Sequence, residues 1–323
     1  MVTTDYEIFG CCLRSEIPFP DLRAIRSRSP RWTLAVSREC PPLADSELLG
    51  GEDIGNGTDV RLYASASGYR LEYDDRTGSF DVSANGRDIT WYPGPNLDEE
   101  MVRLHVIGRV LATALHAAGM YCLHGSGVTL GGEAIGFVAP RFWGKSTMAF
   151  ALARSGARLL SDDTLAMDPD DASARCWPGV HSVRLWGDSA EKVAGDDPAG
   201  GAPPFAVKRT FTRFPDQRLA RRPVRLSALY FLAPYQENGH GPVVRRTRVS
   251  PVPAALALVG NAKIGALLGK SEAPQLFDRA VRVASRVRAY RLDFPRDLGR
   301  LDAVVAQIRA WHRAGRAAAV VTP

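Results

Sequence analysis

A chain of 323 residues, 45% hydrophobic and 24% charged, has room for two domains and the composition of an ordinary globular protein. Its apolar runs fall far short of the roughly 18 residues of a membrane span, and Met1 to Glu7 lack the basic-then-apolar pattern of a secretory signal. Lys and Arg outnumber Asp and Glu by 41 to 35, a net charge of +6. Five cysteines (Cys11, Cys12, Cys40, Cys122 and Cys176) contain no C-x-x-C pair. That usage points to reduced thiols in the cytoplasm and away from a zinc site. The arginines are spread through segments of apolar periodicity with no nucleic-acid module beside them. The excess charge therefore suits a nucleotide or an acidic peptide better than nucleic acid.

In the N-terminal third, Tyr6 to Leu13 and Trp32 to Ser37 read as strands joined by a Pro/Arg-rich connection. Asp45 to Asp59, rich in Gly and acids, reads as a loop. From Val60 onward Tyr69, Leu71, Tyr73, Phe80, Val82, Ile89 and Trp91 alternate with polar residues. Asp75 to Gly78 and Asn85-Gly86 supply turns, the second a strong hairpin signal. Residues 1–93 are thus expected to form a β-rich, antiparallel domain, with these aromatics as its core. Asn96 followed by Glu99 has the form of a capping box. Leu104, Ile107, Leu111 and Leu115 then recur at helical spacing up to Gly119, predicting a linking helix within 94–119.

The next stretch carries the chemistry. Ser126 to Leu130 and Glu133 to Val138 flank Gly131-Gly132 and predict a hairpin. Its second strand runs into Ala139-Pro140-Arg141-Phe142-Trp143-Gly144-Lys145-Ser146, which matches the phosphate-loop pattern G-x-x-x-x-G-K-[ST] at Gly144, Lys145 and Ser146. A helix from Ser146 to Ser155 should follow, ended by Gly156. In that context backbone amides and the positive helix end surround a polyphosphate, Lys145 neutralises it and Ser146 ligates Mg²⁺. Arg158 to Ser161 reads as another strand, with Asp162-Asp163 emerging at its end. Paired carboxylates at a phosphate site make sense as a metal ligand plus a base.

His124-Gly125, the phosphate loop and Ser161-Asp162-Asp163, in this order and at these separations, resemble the catalytic core of HPr kinase/phosphorylase. They more closely resemble bacterial HPr-kinase-related proteins with a different N-terminal domain. Some of those are tailoring kinases that phosphorylate a serine of a ribosomally made peptide, lasso-peptide precursors among them. The resemblance implies Asp162 as the base, Lys145 and Ser146 on phosphate and metal, Asp163 near Mg²⁺, and His124 beside the transferred phosphoryl group. Three positions depart from the family pattern: Ala139 for the first loop Gly, Phe142 for another Gly, and Thr147 for a Glu. A non-Gly residue forced to positive φ in such a loop costs about 1–2 kcal/mol.

Further on, Asp168 to Asp171 reads as a turn and Pro178 to Pro204 as a long irregular stretch. Within and after it, Val183-Arg184-Leu185-Trp186 and Val207-Lys208-Arg209 resemble segments of the same relatives, making Arg184, Lys208 and Arg209 candidate contacts to phosphate or an acidic substrate. A solvated basic loop is the alternative for these three. Leu226 to Leu232 and Val243 to Val249 read as strands, Pro253 to Leu268 and Pro274 to Arg288 as helices, and Ala289 to Phe294 as a strand. Asp297 should cap a last helix whose Leu301, Val304, Val305, Ile308 and His312 share a face, and 317–323 should fray. The fold expected is α/β (α+β overall), with an HPr-kinase-like P-loop core over 120–316. The function expected is an ATP- and Mg²⁺-dependent serine kinase acting on a peptide or small protein. A nucleotide-binding regulatory or scaffold protein that has lost catalysis is the competing class. No membrane partner is expected, and a homo-oligomer stays open.

Overall fold

The computed structural model describes residues 3–55, 57–194, 209–211, 214–236 and 244–319. It is a mixed α/β protein with two large sheets. The chain divides into two compact units, one of residues 1–123, 166–170 and 255–283 and the other of residues 124–165, 171–254 and 284–323. The helical stretch 94–119 thus belongs to the first unit, and so do residues 255–283, which the sequence had suggested for the second domain.

The first unit is built on nine strands: β1 (Thr4–Ile8), β2 (Cys11–Ser15), β3 (Ala24–Ile25), β4 (Trp32–Val36), β5 (Glu47–Gly55), β6 (Thr58–Ser65), β7 (Gly68–Tyr73), β8 (Gly78–Ser83) and β9 (Asp88–Pro93). They form one sheet in the order β3-β1-β2-β4-β9-β8-β7-β6-β5. The sheet is not wholly antiparallel, because β4 runs parallel to both β2 and β9. Leu62, Leu71, Phe80, Val82 and Ile89 are buried, as their alternation predicts.

Two elements differ from the sequence expectation. Tyr6 to Leu13 is a hairpin, not one strand: Phe9 and Gly10 both take positive φ, 49° and 63°, and fold β2 back on β1. Asp45 to Asp59 is not a loop but holds β5 and the start of β6. Its glycines serve packing and bulges, since a Cβ on Gly50 would stand 2.9 Å from the Ala266 carbonyl oxygen, and the β5–β6 register shifts twice.

Helices α1 (Glu99–His105) and α2 (Leu111–Ala117) are joined by a π-helical turn, Val106–Val110. The cap is Asp98, whose carboxylate accepts from the Met101 N–H at 3.0 Å, and Asn96 instead donates to the Asp75 carbonyl. Near the end of α2, buried His116 meets Arg279, which donates to its Nδ1 at 3.1 Å, while a Glu272 carboxylate oxygen lies 3.4 Å from Nε2. A ring nitrogen accepting from Arg279 carries no proton, so this geometry fixes the neutral tautomer. Burial first, then the Arg279 charge, holds the His116 pKa down to about 4.

The second large sheet uses β10 (Tyr121–Leu130), β11 (Glu133–Val138), β12 (Arg158–Ser161), β13 (Thr164–Met167), β14 (Arg175–Trp177), β17 (Val224–Tyr235), β18 (Arg245–Val249) and β19 (Arg288–Pro295). Strands β15 (Val183–Leu185) and β16 (Arg209–Phe211) form a separate pair. The helices are α3 (Lys145–Arg154), α4 (Gly187–Ala194), α5 (Pro251–Gly260), α6 (Ala273–Arg286) and α7 (Leu301–Ala319). β11, β17 and β19 lie side by side in parallel, and β18 closes the row antiparallel to β19. Phe137, Ala149, Leu152, Tyr230, Val304 and Ile308 form the centre of the core. Helix α5 stops at Gly260 instead of running to Leu268, and Asp297 caps a 3-10 turn, Leu298–Arg300, that leads into α7.

The neutral His116 has a pH consequence. Its folded pKa lies below its ordinary value of 6.5, so the unfolded chain binds the extra proton first and stability falls as pH drops from about 6.5 toward 4. A shift of that size corresponds to at most about 3 kcal/mol. Urea unfolding between neutral and mildly acid pH should show a shallower loss in His116→Gln than in the parent. Parallel pH profiles would remove His116 from the account.

Candidate active site

The site is assembled within the second unit, at the carboxyl end of β11. The Gly131-Gly132 hairpin sets the register of β10 on β11, pairing Gly125 with Val138 and Ser126 with Phe137. His124 and Ser126 are two residues apart on a strand and so share a face. Both meet the Asp pair. His124 Nδ1 is 3.2 Å from the Asp163 carbonyl oxygen and 3.2 Å from its Oδ1, and Ser126 Oγ donates to Asp162 Oδ1 at 2.5 Å. Gly125 between them has no room for a side chain, since a Cβ would stand 2.8 Å from the Phe137 carbonyl oxygen and 3.0 Å from Leu165.

Asp162 and Asp163 sit at the sharp bend between β12 and β13. Asp163 has φ of 70°, and the Thr164 N–H donates to the Asp162 carbonyl at 2.9 Å, closing a three-residue turn. The turn sends the two carboxylates different ways: Asp162 is 4% exposed, whereas the Asp163 side chain is half exposed. The other Asp162 oxygen accepts from the Arg184 backbone N–H at 3.3 Å, and Ser146 lies near enough to favour the charged form of this carboxylate. Burial raises the pKa of Asp162 and the Asp163 charge pushes the same way, against the hydrogen bonds of Ser126, Ser146 and the Arg184 amide. A carboxylate of raised pKa, inside a ring of donors, is a better proton acceptor near neutral pH than an ordinary aspartate.

The loop from Ala139 to Ser146 leaves β11 and enters α3, with Gly144 left-handed at φ 86° immediately before the helix. Of the departures noted in the sequence, Ala139 is harmless: it is 3% exposed, packs in the core and does not take positive φ. Thr147 is buried on the first turn of α3. Phe142 does take positive φ, 67°, the strained conformation that a Gly would relieve. Its ring is 64% exposed and stacks on Trp186 at 5.1 Å between centroids. Pro140, Arg141 and Trp143 are exposed beside it. Lys145 is buried, with Nζ donating to the carbonyls of Ala139 and Pro140 at 2.8 and 3.0 Å.

The structure therefore brings together His124, Asp162, Asp163, Ser146 and the Arg184 main chain. Arg184 takes part through its amide, and its side chain is exposed on β15. Arg209 pairs with Leu185 through the β15–β16 ladder, which places its main chain beside this strand. Lys208 lies outside the described residues. Sequence reading missed Ser126. Its signal was the i, i+2 spacing from His124, which puts both side chains on one face of the strand.

No protein-family model and no curated protein matches the chain. Among solved structures, the HPr(Ser) kinase/phosphatase from Coxiella burnetii is similar at 12% identity and a TM-score of 0.31, covering 60% of this chain and 95% of that one. A likeness of that size carries no functional inference. Among the described residues no group of three or more His, Cys, Asp or Glu is placed to hold a metal ion, and no helix is long and apolar enough to cross a membrane.

Two opposing magnitudes meet at Phe142. Left-handed backbone costs a non-Gly residue about 1–2 kcal/mol, and an aromatic pair contributes about 0.5–1.5 kcal/mol. Phe142→Gly gives up the second to relieve the first, so its urea-unfolding free energy should stay within about 1 kcal/mol of the parent. Phe142→Ile keeps the positive φ, adds β-branching and loses the stack, and should cost about 2 kcal/mol. A glycine variant that unfolds far more easily than the isoleucine variant would contradict this reading of the loop.

Proposed function

We propose that this chain is an ATP-dependent kinase that transfers the γ-phosphoryl group to a hydroxyl, that of a serine in a peptide or small protein. A ribosomally made peptide of the lasso-precursor kind is the acceptor class that the resemblance suggests. One observation carries the reading: the buried Asp162 carboxyl is held by Ser126, whose strand pairs through Phe137 with the strand that runs into the loop, and Ser146 at the start of α3 lies near enough to favour its charged form, so a phosphate-binding motif and a base share one place. A pure nucleotide binder needs the motif but not the base.

In this reading the loop amides, Lys145 and the N-terminus of α3 hold the β- and γ-phosphates. Asp162 accepts the proton of the acceptor hydroxyl as its oxygen bonds to the γ-phosphorus, the bond to the bridging oxygen breaks and ADP leaves. Ser126 and the Arg184 amide hold Asp162 in place, and His124 lies beside the transferred group. Mg²⁺ takes oxygen ligands, keeps several waters and needs only one or two protein groups besides phosphate. The Ser146 hydroxyl and the half-exposed Asp163 carboxylate fit that donor set, and the ion would supply charge neutralisation at the phosphates. Cytoplasmic location and a homo-oligomeric state belong to the proposal as compatible features.

A second reading has its own observation. Lys145 is engaged by two loop carbonyls and Phe142 is left-handed, features that suit a loop with weakened phosphate affinity and a regulatory or scaffold role.

The two separate cleanly. With labelled ATP and a serine-containing acceptor peptide, Asp162→Asn should lose transfer by at least about 100-fold and keep its ATP affinity. Lys145→Ala should weaken ATP binding itself by about tenfold or more. Full transfer by both variants would refute the mechanism. ATP binding with no transfer by the parent, to any acceptor tried, would favour the regulatory reading.

A further inference from the structure

Among the described residues four strands stand at open ends of the two large sheets, and they are unequal; one, β12, has four residues and a shifted register on β10. β3 has only two residues, and β5 is interrupted by two register shifts, devices that blunt an edge. β18 is different: its five residues pair with β19 in unbroken register, and among the described residues no strand lies on its other side in the sheet order. Its sequence is Arg245-Arg246-Thr247-Arg248-Val249.

The positive charge is arranged on both faces. On one, Arg246 lies over the rings of Tyr290 and Trp311 at 5.0 and 4.7 Å, and Arg248 lies over Tyr290 at 5.3 Å. On the other, Arg245 and Arg291 flank Asp293, and their side chains are 67% and 62% exposed. Arg288, on β19, is exposed as well. The single carboxylate of Asp293 is outnumbered.

We infer that β18 is a docking edge for an acidic peptide in extended conformation, which adds to the sheet as a further antiparallel or parallel strand. An edge strand presents a row of main-chain N–H and C=O groups, which a peptide backbone matches and a phosphodiester backbone does not. The side chains of an extended peptide alternate between the two faces, so acidic residues at successive positions meet Arg246 and Arg248 on one side and Arg245 and Arg291 on the other. The same arginines repel the like edge of a second copy.

The edge also lies level with the candidate phosphate loop. Val138, Phe231, Arg291 and Thr247 form one cross-strand row from β11 to β18, and three strand spacings amount to about 14 Å. A peptide added beyond β18 would lie one spacing further, about 19 Å from β11, so its flanking residues, not the docked segment itself, would reach a γ-phosphoryl group. That link rests on the proposed function, whereas the binding does not.

The test is fluorescence anisotropy without ATP, at low ionic strength, using a labelled ten-residue peptide rich in Glu and Thr. It should bind saturably, and a matched Lys/Thr peptide should not. Arg245→Gln/Arg248→Gln should weaken binding by about tenfold or more with an unchanged thermal midpoint. Methylating alternate backbone nitrogens of the peptide should abolish binding to the unaltered protein, an arm that needs no variant to fold. Equal binding by the methylated peptide, or by the double variant, would overturn the inference. Tighter binding of a single-stranded oligonucleotide of equal charge would also overturn it and assign the edge to nucleic acid. A kinase assay that fails while these results hold would bear on the proposed function alone.

Discussion

A carboxyl group buried among donors organises the second unit. Asp162 is almost wholly out of solvent, and each of its oxygens is met by a different element: Ser126 from β10 on one and the Arg184 amide from β15 on the other, with Ser146 of α3 near enough to favour its charged form. Removing one such partner from a buried polar group costs about 1–3 kcal/mol, so the three elements are tied to one another through that side chain. The tie explains local features that otherwise look costly. Asp163 accepts a left-handed conformation because the turn it makes points Asp162 inward. Gly125 lacks a side chain because β10 must lie close against Phe137 and Leu165 for Ser126 to reach.

The loop opposite is a compromise of another kind. Phe142 pays for its positive φ without the excuse of a glycine, and the exposed ring is laid on Trp186, on the same short segment whose amide holds Asp162. The loop and the Asp162 support are therefore mechanically joined through one aromatic contact. Ala139, by contrast, shows that the first loop position needs a small residue more than a flexible one, since it is packed in the core.

Where local chemistry decides structure, the chain was legible. The Gly131-Gly132 hairpin, the strand entering the loop, α3 and its Gly156 end, and the alternation of β6 to β9 all follow from period and turn residues. The misses share a cause, which is distant packing overriding a local signal. Phe9 turns a hairpin in a position that reads as mid-strand. Gly50 reads as a loop residue but clears space for the Ala266 backbone. Asn96 has the form of a cap, yet its amide is used on Asp75 and the neighbouring Asp98 takes the role. Arg184 reads in the sequence as a cation, while the structure uses its amide, a group that every residue but proline carries and no sequence pattern marks. Ser126 was missed because a serine in an apolar strand looks like an ordinary buried hydroxyl until its partner is known.

The central claim is that one place holds both a nucleotide's phosphates and the two carboxylates. Titration calorimetry of the full chain with ATP, first with Mg²⁺ and then with EDTA, tests it most directly. Asp162 and Asp163 repel bare phosphates unless a cation lies between, so affinity should be readily measured with Mg²⁺ and drop by about tenfold or more without it. Equal affinity in both conditions would contradict the shared site, and absence of binding in both would contradict the nucleotide itself.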